Sequence, residues 1–366
     1  MRRSSERRRS KRSAGRVVTM GGLPWALLLV VLLAGPLRAE PAEDGIEVEE
    51  VGRQATEEVT EEVIEEVTDQ EVRKPFRVGP PTPIGLRYSE PLDGTMFRFE
   101  YDYERTERKG ILLGKRTYTS TPHSLDVTIH TLQLTYAPHP RVNLVVDIPI
   151  EKRELSTNES SGMLSHAETT GLGDVEFVVV LPFIRKGRES SHVHLGVKTP
   201  TGSYRRGGDE TRLPYDLQPG NGTWDLEWGW TYRGELDWLA WGGQIWGIHP
   251  QGRNGLHYRD GSHFQVTGWS AIRLFAGLSA SVRMEWEKIN NIRGHDRSLD
   301  QQSDPSNNSK MRGGESLQIS PGLSFDIPEL PHQRIAVEAT LPLWENLDGA
   351  QLKRDWGLQV GWRWGF

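Results

Sequence analysis

Three residues of the polar region around position 255 have side chains that could carry out hydrolysis: His249, Asn254 and Ser262. A serine nucleophile needs a base such as histidine within hydrogen-bond reach, and this base needs a third group that orients it. The region lacks the His-x-Ser-Asn-Gly run that is typical of one family of lipid hydrolases. We therefore predict no catalytic residue, and a lipid hydrolase is the least favoured of the alternative functions.

Metal and thiol chemistry find little support in the sequence. Asp296, Asp300 and Asp304 do not follow the spacing of an ordered calcium loop, so a solvated loop is the simpler interpretation. The chain has no cysteine, which excludes thiol catalysis, disulfides and cysteine-ligated metals. The net charge of −6 argues against nucleic acid as a partner. We predict no metal, no cofactor and no nucleic-acid partner.

A larger group of charged residues alternates with apolar residues along the chain. This period of two predicts β-strands with one polar and one apolar face. If the polar faces surround a lumen, their charges would select solutes, and the excess of acids would favour cations or neutral molecules. Alternatively, the charges pair across neighbouring strands and fill a narrow barrel. The predicted lumen-lining residues are Arg98, Glu100, Asp102, Asp126, Asp147, Asp174, Glu176, Lys198, Asp225, Glu227, Arg283, Glu285, Glu287, Arg334, Glu338 and Arg363.

The C-terminal stretch shows the alternation most clearly. Its apolar positions are large and aromatic, and small or polar residues lie between them. A terminal strand of this kind is typical of a membrane-spanning β-barrel, and the alternative is the last strand of a soluble β-sandwich. The residues predicted to face lipid are Trp356, Leu358, Val360, Trp362, Trp364 and Phe366.

The connections between the alternating stretches are short and long in turn. The short ones are 138–140, 185–188, 233–235, 276–277 and 328–332, and the long polar ones are 104–122, 152–170, 200–222, 248–261, 289–314 and 346–352. A barrel with tight periplasmic turns and long external loops has this pattern, whereas a sandwich has no reason for it. The sequence thus predicts an all-β fold, a transmembrane antiparallel up-and-down barrel of about twelve strands. The phase slip at Thr131 predicts a bulge, and strands 237–247 and 262–273 have no clear phase.

The N-terminal part of the chain is predicted to lie outside the barrel. Residues 1–39 combine a basic run, an apolar run and a plausible cleavage site, which indicates a signal peptide. Residues 40–92 are acidic and then rich in proline, which predicts a mostly disordered periplasmic spacer. The barrel is predicted over residues 93–366.

Three motifs resemble those of the outer-membrane barrel family named after the MetA pathway of phenol degradation. They are GLGD at 171–174, GVKTPTG at 196–202 and LQPGNGTWD at 217–225, together with the terminal Phe366. The resemblance covers roughly residues 90–366. It implies a channel or transporter for small, often aromatic or hydrophobic, molecules, and it brings no catalytic residues.

From these features we expect a Gram-negative outer-membrane protein that is exported through its signal peptide. Its expected partners are outer-membrane lipid, an unknown small-molecule cargo, and the barrel-assembly machinery, which would bind the C-terminal strand ending in Phe366. The alternative function is that of a surface-binding or structural barrel, because the sequence does not separate this role from transport.

Overall fold

Each stretch of period-two alternation forms a β-strand, and all strands pair antiparallel in one sheet. The computed structural model describes residues 81–92, 97–111, 120–159, 161–207, 212–275, 277–328, 330 and 332–366. The strands are β1 (Phe97–Ile111), β2 (Ser120–His139), β3 (Val142–Glu159), β4 (Leu164–Leu172), β5 (Glu176–Lys186), β6 (Glu189–Lys198), β7 (Trp224–Glu235), β8 (Leu239–Gln251), β9 (His263–Phe275), β10 (Leu278–Ile289), β11 (Gly314–Asp326), β12 (Gln333–Leu347) and β13 (Leu352–Gly365).

The sheet closes on itself because β1 pairs with both β2 and β13. Phe99 lies opposite Trp364, and Tyr101 lies opposite Trp362. The predicted pairing of the C-terminal strand with the first strand is confirmed. Closure leaves no free strand edge in the wall, which backbone groups in hydrocarbon require.

Two strands share one position in the wall, so the closed barrel has twelve strands. β4 pairs with residues 150–158 of β3, and β5 pairs with residues 143–147 of the same strand. They follow one another along a single edge of β3 and are separated by the irregular residues 173–175. The prediction of about twelve strands is confirmed.

The connections differ between the two ends of the barrel. Residues 140–141, 187–188 and 236–238 make tight turns at one end, where Phe366 also hydrogen-bonds to Phe97. The opposite end carries the long connections 199–223, 252–262 and 290–313. The expected loops 104–122 and 152–170 are wrong in extent, because β1, β2, β3 and β4 continue through much of both ranges as paired strands.

The outer face of the barrel is apolar and exposed, as a lipid-facing surface must be. Within the described residues, no helix is long and apolar enough to cross a membrane. The exposed apolar side chains come from all around the wall and include Leu134, Leu144, Phe177, Leu195, Trp228, Met284, Leu323, Val337, Leu343 and Trp364.

β2 corrects two predictions. Its pairing with β1 is regular through Thr131, so the predicted bulge is wrong. Leu132 and Leu134 lie on the outer face, whereas Leu125 is buried inside against the connection 199–223. The polarity of the two faces therefore exchanges along a regular strand. Asp126, predicted to line the lumen, instead lies outside, where Arg105 donates to it at 2.9 Å.

The two strands of uncertain phase, β8 and β9, both place tryptophan inside the barrel. Trp246 and Trp269 are 3 and 6% exposed. Trp269 packs with Leu86, Ala240 and Ala271 in an interior apolar cluster. In β8, tryptophan and glycine occur on both faces, so that the sequence does not fix which face is buried.

Candidate functional site

Most of the predicted interior residues lie on the inner face of the wall, where their side chains are buried or contact one another across the lumen. Asp174 lies in the irregular residues between β4 and β5, and Asp126 is the exception described above. The predicted residues found inside are Arg98, Glu100 and Asp102 of β1, Asp147 of β3, Glu176 of β5, Lys198 of β6, Asp225 and Glu227 of β7, Arg283, Glu285 and Glu287 of β10, Arg334 and Glu338 of β12, and Arg363 of β13.

The lumen also contains a segment that the sequence placed elsewhere. Residues 81–92, which we call the plug, pass through the barrel interior, and most of their side chains are buried. The expected spacer extended to residue 92, so its last residues differ from the prediction. Residues 1–80 lie outside the described residues. The plug lies inside the barrel because its one basic and its one acidic side chain find partners of opposite charge on the wall.

Arg87 is the basic anchor of the plug. Its guanidinium donates to Glu176 at 2.8 Å and lies 3.5 Å from Glu227. The same group stacks over the Trp246 ring, with 4.4 Å to the ring centroid. Acidic side chains of β5 and β7 and an aromatic face of β8 thus surround one plug cation.

Tyr88 extends this anchor to β3. Its hydroxyl donates to Asp147 at 2.7 Å, and its ring packs edge-on against His194 at 5.0 Å. Its ring also belongs to a buried apolar cluster with valines of β3 and β5. Tyr88 has a φ of 50°, in the left-handed region that few non-glycine residues occupy, which indicates that these contacts hold the backbone there.

Glu90 is the acidic anchor, and its partners are arginines. Arg334 lies 3.1 Å from its carboxylate, Arg233 lies 3.9 Å away, and Arg363 also pairs with it. Burial alone would raise the pKa of Glu90, but Arg363 and Arg334 hold it well below its ordinary value. Glu90 is therefore ionised at neutral pH, in a basic layer nearer the tight-turn end.

Backbone contacts complete the attachment of the plug. The Ile84 N–H donates to Glu338 at 2.9 Å, Gln244 donates to the Arg87 carbonyl at 2.6 Å, and Arg185 donates to the Leu92 carbonyl at 3.0 Å. Glycine makes room for these contacts, because a Cβ on Gly361 would collide with the Ile84 side chain.

Long connections pack against the inner wall at the other end of the lumen, and we call residues 212–223, 252–262 and 290–313 the lid. Leu217, fully buried, packs on Leu125, Leu155 and Leu352. Tyr215 packs on Tyr258 in a second apolar cluster that belongs to the lid itself. The lid is thus fixed by apolar burial.

A buried ion pair and hydrogen bonds to the wall stabilise the lid further. Arg212 lies 3.1 Å from Asp296, and both side chains are almost fully buried. Arg153 of β3 donates to the Asp216 carbonyl at 3.1 Å, and Thr169 of β4 donates to the Leu217 carbonyl at 2.7 Å. These hydrogen bonds join the lid to the barrel wall.

The three sequence motifs meet at the base of the lid. The carboxylate of Asp174 accepts hydrogen bonds from the N–H groups of Gly202 at 2.8 Å and Asn221 at 3.0 Å. Asn221 in turn donates to Asp225. The backbones of Gly202 and Gly220 are in direct contact, so that a Cβ on Gly202 would lie only 2.7 Å from the Gly220 Cα. The motifs therefore encode a structural junction that starts and ends the lid connection.

A cavity of about 360 Å³ lies between the plug and the inner wall. Asp102, Glu104 and Glu151 are among the acidic residues that line it, and Arg153 and Lys198 are among the basic ones. A second cavity of about 190 Å³ lies toward β10 and β11. Both cavities are lined mainly by polar groups, so the lumen offers polar sites.

The predicted pore charges Glu285 and Glu287 lie beside this second cavity and are neutralised by neighbours. Glu285 accepts from Gln265 at 2.6 Å and pairs with Arg283. Glu287 lies 3.9 Å from Arg354 of β13 and 2.9 Å from His263 of β9. The interpretation that such charges pair across strands therefore describes Glu287, whereas Glu285 pairs along its own strand.

Two surface groups lie outside the lumen. Glu154, His166 and Glu168 of the β3–β4 hairpin have ligand atoms close enough to share a metal ion, but Lys152 already lies 3.1 Å from Glu154 and 3.6 Å from Glu168. The other group is formed by His249, near the end of β8, and Ser262, directly before β9.

Comparison with known proteins identifies the fold. The sequence matches no protein-family model and no curated protein. An outer membrane channel from Pseudomonas putida F1 has a similar structure, with a TM-score of 0.56, 12% sequence identity and coverage of 79% of this chain and 100% of that one. The chain has the fold of an outer-membrane β-barrel.

Two further structures resemble the chain more weakly. The β-domain of the Bordetella autotransporter BrkA gives a TM-score of 0.42 at 11% identity and covers 74% of this chain and 100% of its own. A Pseudomonas aeruginosa FadL homologue gives 0.40 at 9% identity, with 74 and 90% covered. These values are too low to support a functional argument.

Proposed function

We propose that this protein is an outer-membrane channel for small molecules and that its own plug closes it at rest. The observation that carries the proposal is the plug itself, a chain segment held in a polar lumen by ion pairs, hydrogen bonds and the apolar packing of Leu86 and Tyr88. A barrel that served only as a wall would be filled by its own side chains, as small barrels are. Here a separate segment fills the lumen, and its removal would leave a polar passage.

Two observations bear on the nature of the cargo: the sequence motifs and the residues that line the cavities of the lumen. The resemblance to the MetA-pathway family suggests small aromatic or hydrophobic cargo, and its motifs support a place in or near that family. The charged cavity walls instead favour polar solutes, because apolar molecules gain nothing from displacing water there.

Export and assembly belong to the same proposal. Residues 1–39 would direct export to the bacterial outer membrane, and the acidic residues 40–80 would remain in the periplasm. The C-terminal strand ends in Phe366, which pairs with Phe97 at the tight-turn end. This terminal strand is the segment that we propose the barrel-assembly machinery recognises. Trp356, Leu358, Val360, Trp362 and Trp364 would face lipid.

Liposome swelling tests the proposal. The full chain is compared with a variant in which residues 81–92 are replaced by a Gly/Ser sequence of equal length, and heat-modifiable migration in gels confirms that both barrels are folded. We expect slow entry of small polar solutes with the full chain and fast entry with the variant. Impermeability of both proteins would contradict the channel and favour a surface-binding or structural role.

A second candidate function, lipid hydrolysis, is favoured by one distance. His249 Nδ1 lies 2.6 Å from Ser262 Oγ, and His249 is exposed. Asn254, the expected third residue, instead donates to the Asn221 carbonyl at 2.8 Å inside the lid. Ester hydrolysis by the purified protein that disappears in Ser262→Ala would establish this function, and absence of hydrolysis in the parent would end it.

A further inference from the structure

The carboxylates that line the larger cavity fall into two groups. Those of the first group each have a basic partner: Glu100 pairs with Arg98 and Arg363, Glu151 with Arg153, and Glu176 with Arg87 and Lys198. Their charges are thus compensated within the wall and the plug.

The second group consists of Asp102, Glu104 and Asp147, which we call the acidic patch. Among the described residues, no basic side chain lies within 4.0 Å of these carboxylates. Glu104 accepts only neutral donors, including the Gln359 amide at 3.2 Å. Asp147 accepts from the Tyr88 hydroxyl through one oxygen, while its other oxygen is buried without a hydrogen-bond partner. Asp147 is only 8% exposed and lines the cavity.

Strand register brings the patch together on one side of the lumen. Asp102 of β1 lies opposite Thr131 of β2, and Gln133 of β2 lies opposite Asp147 of β3. Two of the carboxylates thus lie on β1 and one on β3, and the neutral hydrogen-bonding side chains of Thr131 and Gln133 on β2 lie between them.

An unpaired buried carboxyl group either keeps a proton or loses it when it binds a cation, since burial of unpaired charge is costly, and such groups beside a cavity therefore offer sites where a cation can replace the protons. The arrangement does not suit a single metal ion. Among described residues, only Glu154, His166 and Glu168 bring three such ligand atoms within 4.8 Å of one another, so the acidic patch does not converge on one point. Separated carboxylates beside a cavity of about 360 Å³ fit a molecule with separated positive groups.

We infer that the acidic patch binds a small organic cation that carries primary ammonium groups, with a linear diamine as the simplest case. Each ammonium group donates up to three hydrogen bonds, which matches carboxylates flanked by Thr131 and Gln133. The inference extends the proposed channel function by naming the cargo class, but binding at equilibrium does not depend on the rate of passage.

Equilibrium dialysis of the purified full chain in detergent tests the inference. The probe is putrescine at low ionic strength, and butane-1,4-diol and succinate are neutral and anionic molecules of similar length. We expect saturable binding of putrescine that weakens as salt is added, and no saturable binding of the other two.

Asp102→Asn and Glu104→Gln should each weaken putrescine binding about tenfold, because each removes one charge-assisted hydrogen bond. Asp126→Asn is the matched control, since this carboxylate lies on the outer face and pairs with Arg105. Its affinity for putrescine should equal that of the parent. Heat-modifiable migration verifies that every variant is a folded barrel.

The outcomes separate this inference from the proposed function. Absence of putrescine binding, equal binding of butane-1,4-diol, or unchanged affinity in both Asp102→Asn and Glu104→Gln would overturn the cation site. Solute flux without putrescine binding would overturn the site and leave the channel. Putrescine binding without flux through the plug-replaced variant would support the site and contradict the channel.

Discussion

The plug and the lid lie at opposite ends of one lumen and are attached to the wall by different sets of contacts. The plug is attached by ion pairs, with Arg87 among acids and Glu90 among arginines, in addition to the apolar packing of Leu86 and Tyr88. The lid is held by apolar clusters around Leu217 and Tyr215, and its loops are joined to strands at both ends. The comparison teaches that ion pairs with the wall distinguish the attachment of the plug from that of the lid, so that single charge substitutions test the plug selectively.

The energetics explain the difference. Burying a leucine such as Leu217 stabilises the lid by roughly 1.5–3 kcal/mol, and displacement would return that surface to water. A buried ion pair contributes little net free energy, because desolvation offsets much of the attraction between its charges. The ion pairs of the plug can therefore be exchanged for water and counter-ions at a small net cost, whereas its buried Leu86 and Leu92 oppose displacement as Leu217 does. Removing one partner alone, however, leaves a buried charge unmatched.

Glu90→Gln should produce the largest effect, by weakening the charged attachment of the plug. Arg334 and Arg363 retain Asp326 and Glu100 as partners, so we expect a loss of about 2–3 kcal/mol, or roughly a hundredfold shift toward the open state. The chain has no cysteine, so Ser89→Cys in the plug gives a single labelling site. Maleimide labelling in the Glu90→Gln background should be correspondingly faster.

Glu315→Gln is the control for that measurement, because this residue pairs with the exposed Lys288 away from the plug. Equal labelling rates in Glu90→Gln and Glu315→Gln would show that charge does not hold the plug.

Gly361→Ala should loosen the plug without changing any charge. The added methyl group would collide with Ile84 and with the carboxylate end of Asp102, which is flexible and can move aside, so we expect a cost of about 1–3 kcal/mol to the closed state. Gly357→Ala is the matched control on the same strand and face, because its Cβ would meet Thr340 at 3.3 Å, a contact that a small adjustment relieves. Labelling of Ser89→Cys should accelerate in the first variant only; similar rates in both would contradict a close fit at Ile84.

Asp174→Ala should affect the lid and leave the plug in place. It leaves the N–H groups of Gly202 and Asn221 without their acceptor, at a cost of about 1–3 kcal/mol. We expect faster proteolysis of the connection 199–223 and unchanged labelling of Ser89→Cys. Accelerated labelling of Ser89→Cys would show that the attachment of the plug depends on that of the lid.

The smallest effect concerns the pH dependence of the lid. Burial raises the pKa of Asp260 to about 6, with Asp225 acting in the same direction and Lys198, Arg153 and Arg312 opposing. A carboxyl whose pKa is higher in the folded state destabilises that state as it ionises. The lid should therefore lose stability as the pH rises from about 4 to about 6.

Hydrogen exchange of residues 212–217 at pH 5 and pH 7, corrected for intrinsic rates, checks this expectation. Protection should be greater at pH 5 in the parent and independent of pH in Asp260→Asn. Persistence of the pH effect in Asp260→Asn would assign it to another group.

Much of the wall was predictable from the sequence. Period-two alternation places Phe99 and Arg98 on opposite faces whatever they contact, because successive side chains of a strand point in opposite directions. The terminal strand and the alternating connections then predicted the closed barrel of about twelve strands. The prediction failed for Asp126, because β2 leaves the apolar zone and its two faces then exchange polarity.

The sequence by itself determined the strands, their apolar faces and the closed barrel, since these depend on local alternation and on the need to pair every backbone group. Only the tertiary structure decided what occupies the lumen. Residues 81–92 have no periodicity that reports burial, and their partners lie far away in the chain, as Glu338 does from Ile84. The pairing state of each interior charge is equally non-local, so Glu285 is neutralised while Asp102 stays without a basic partner.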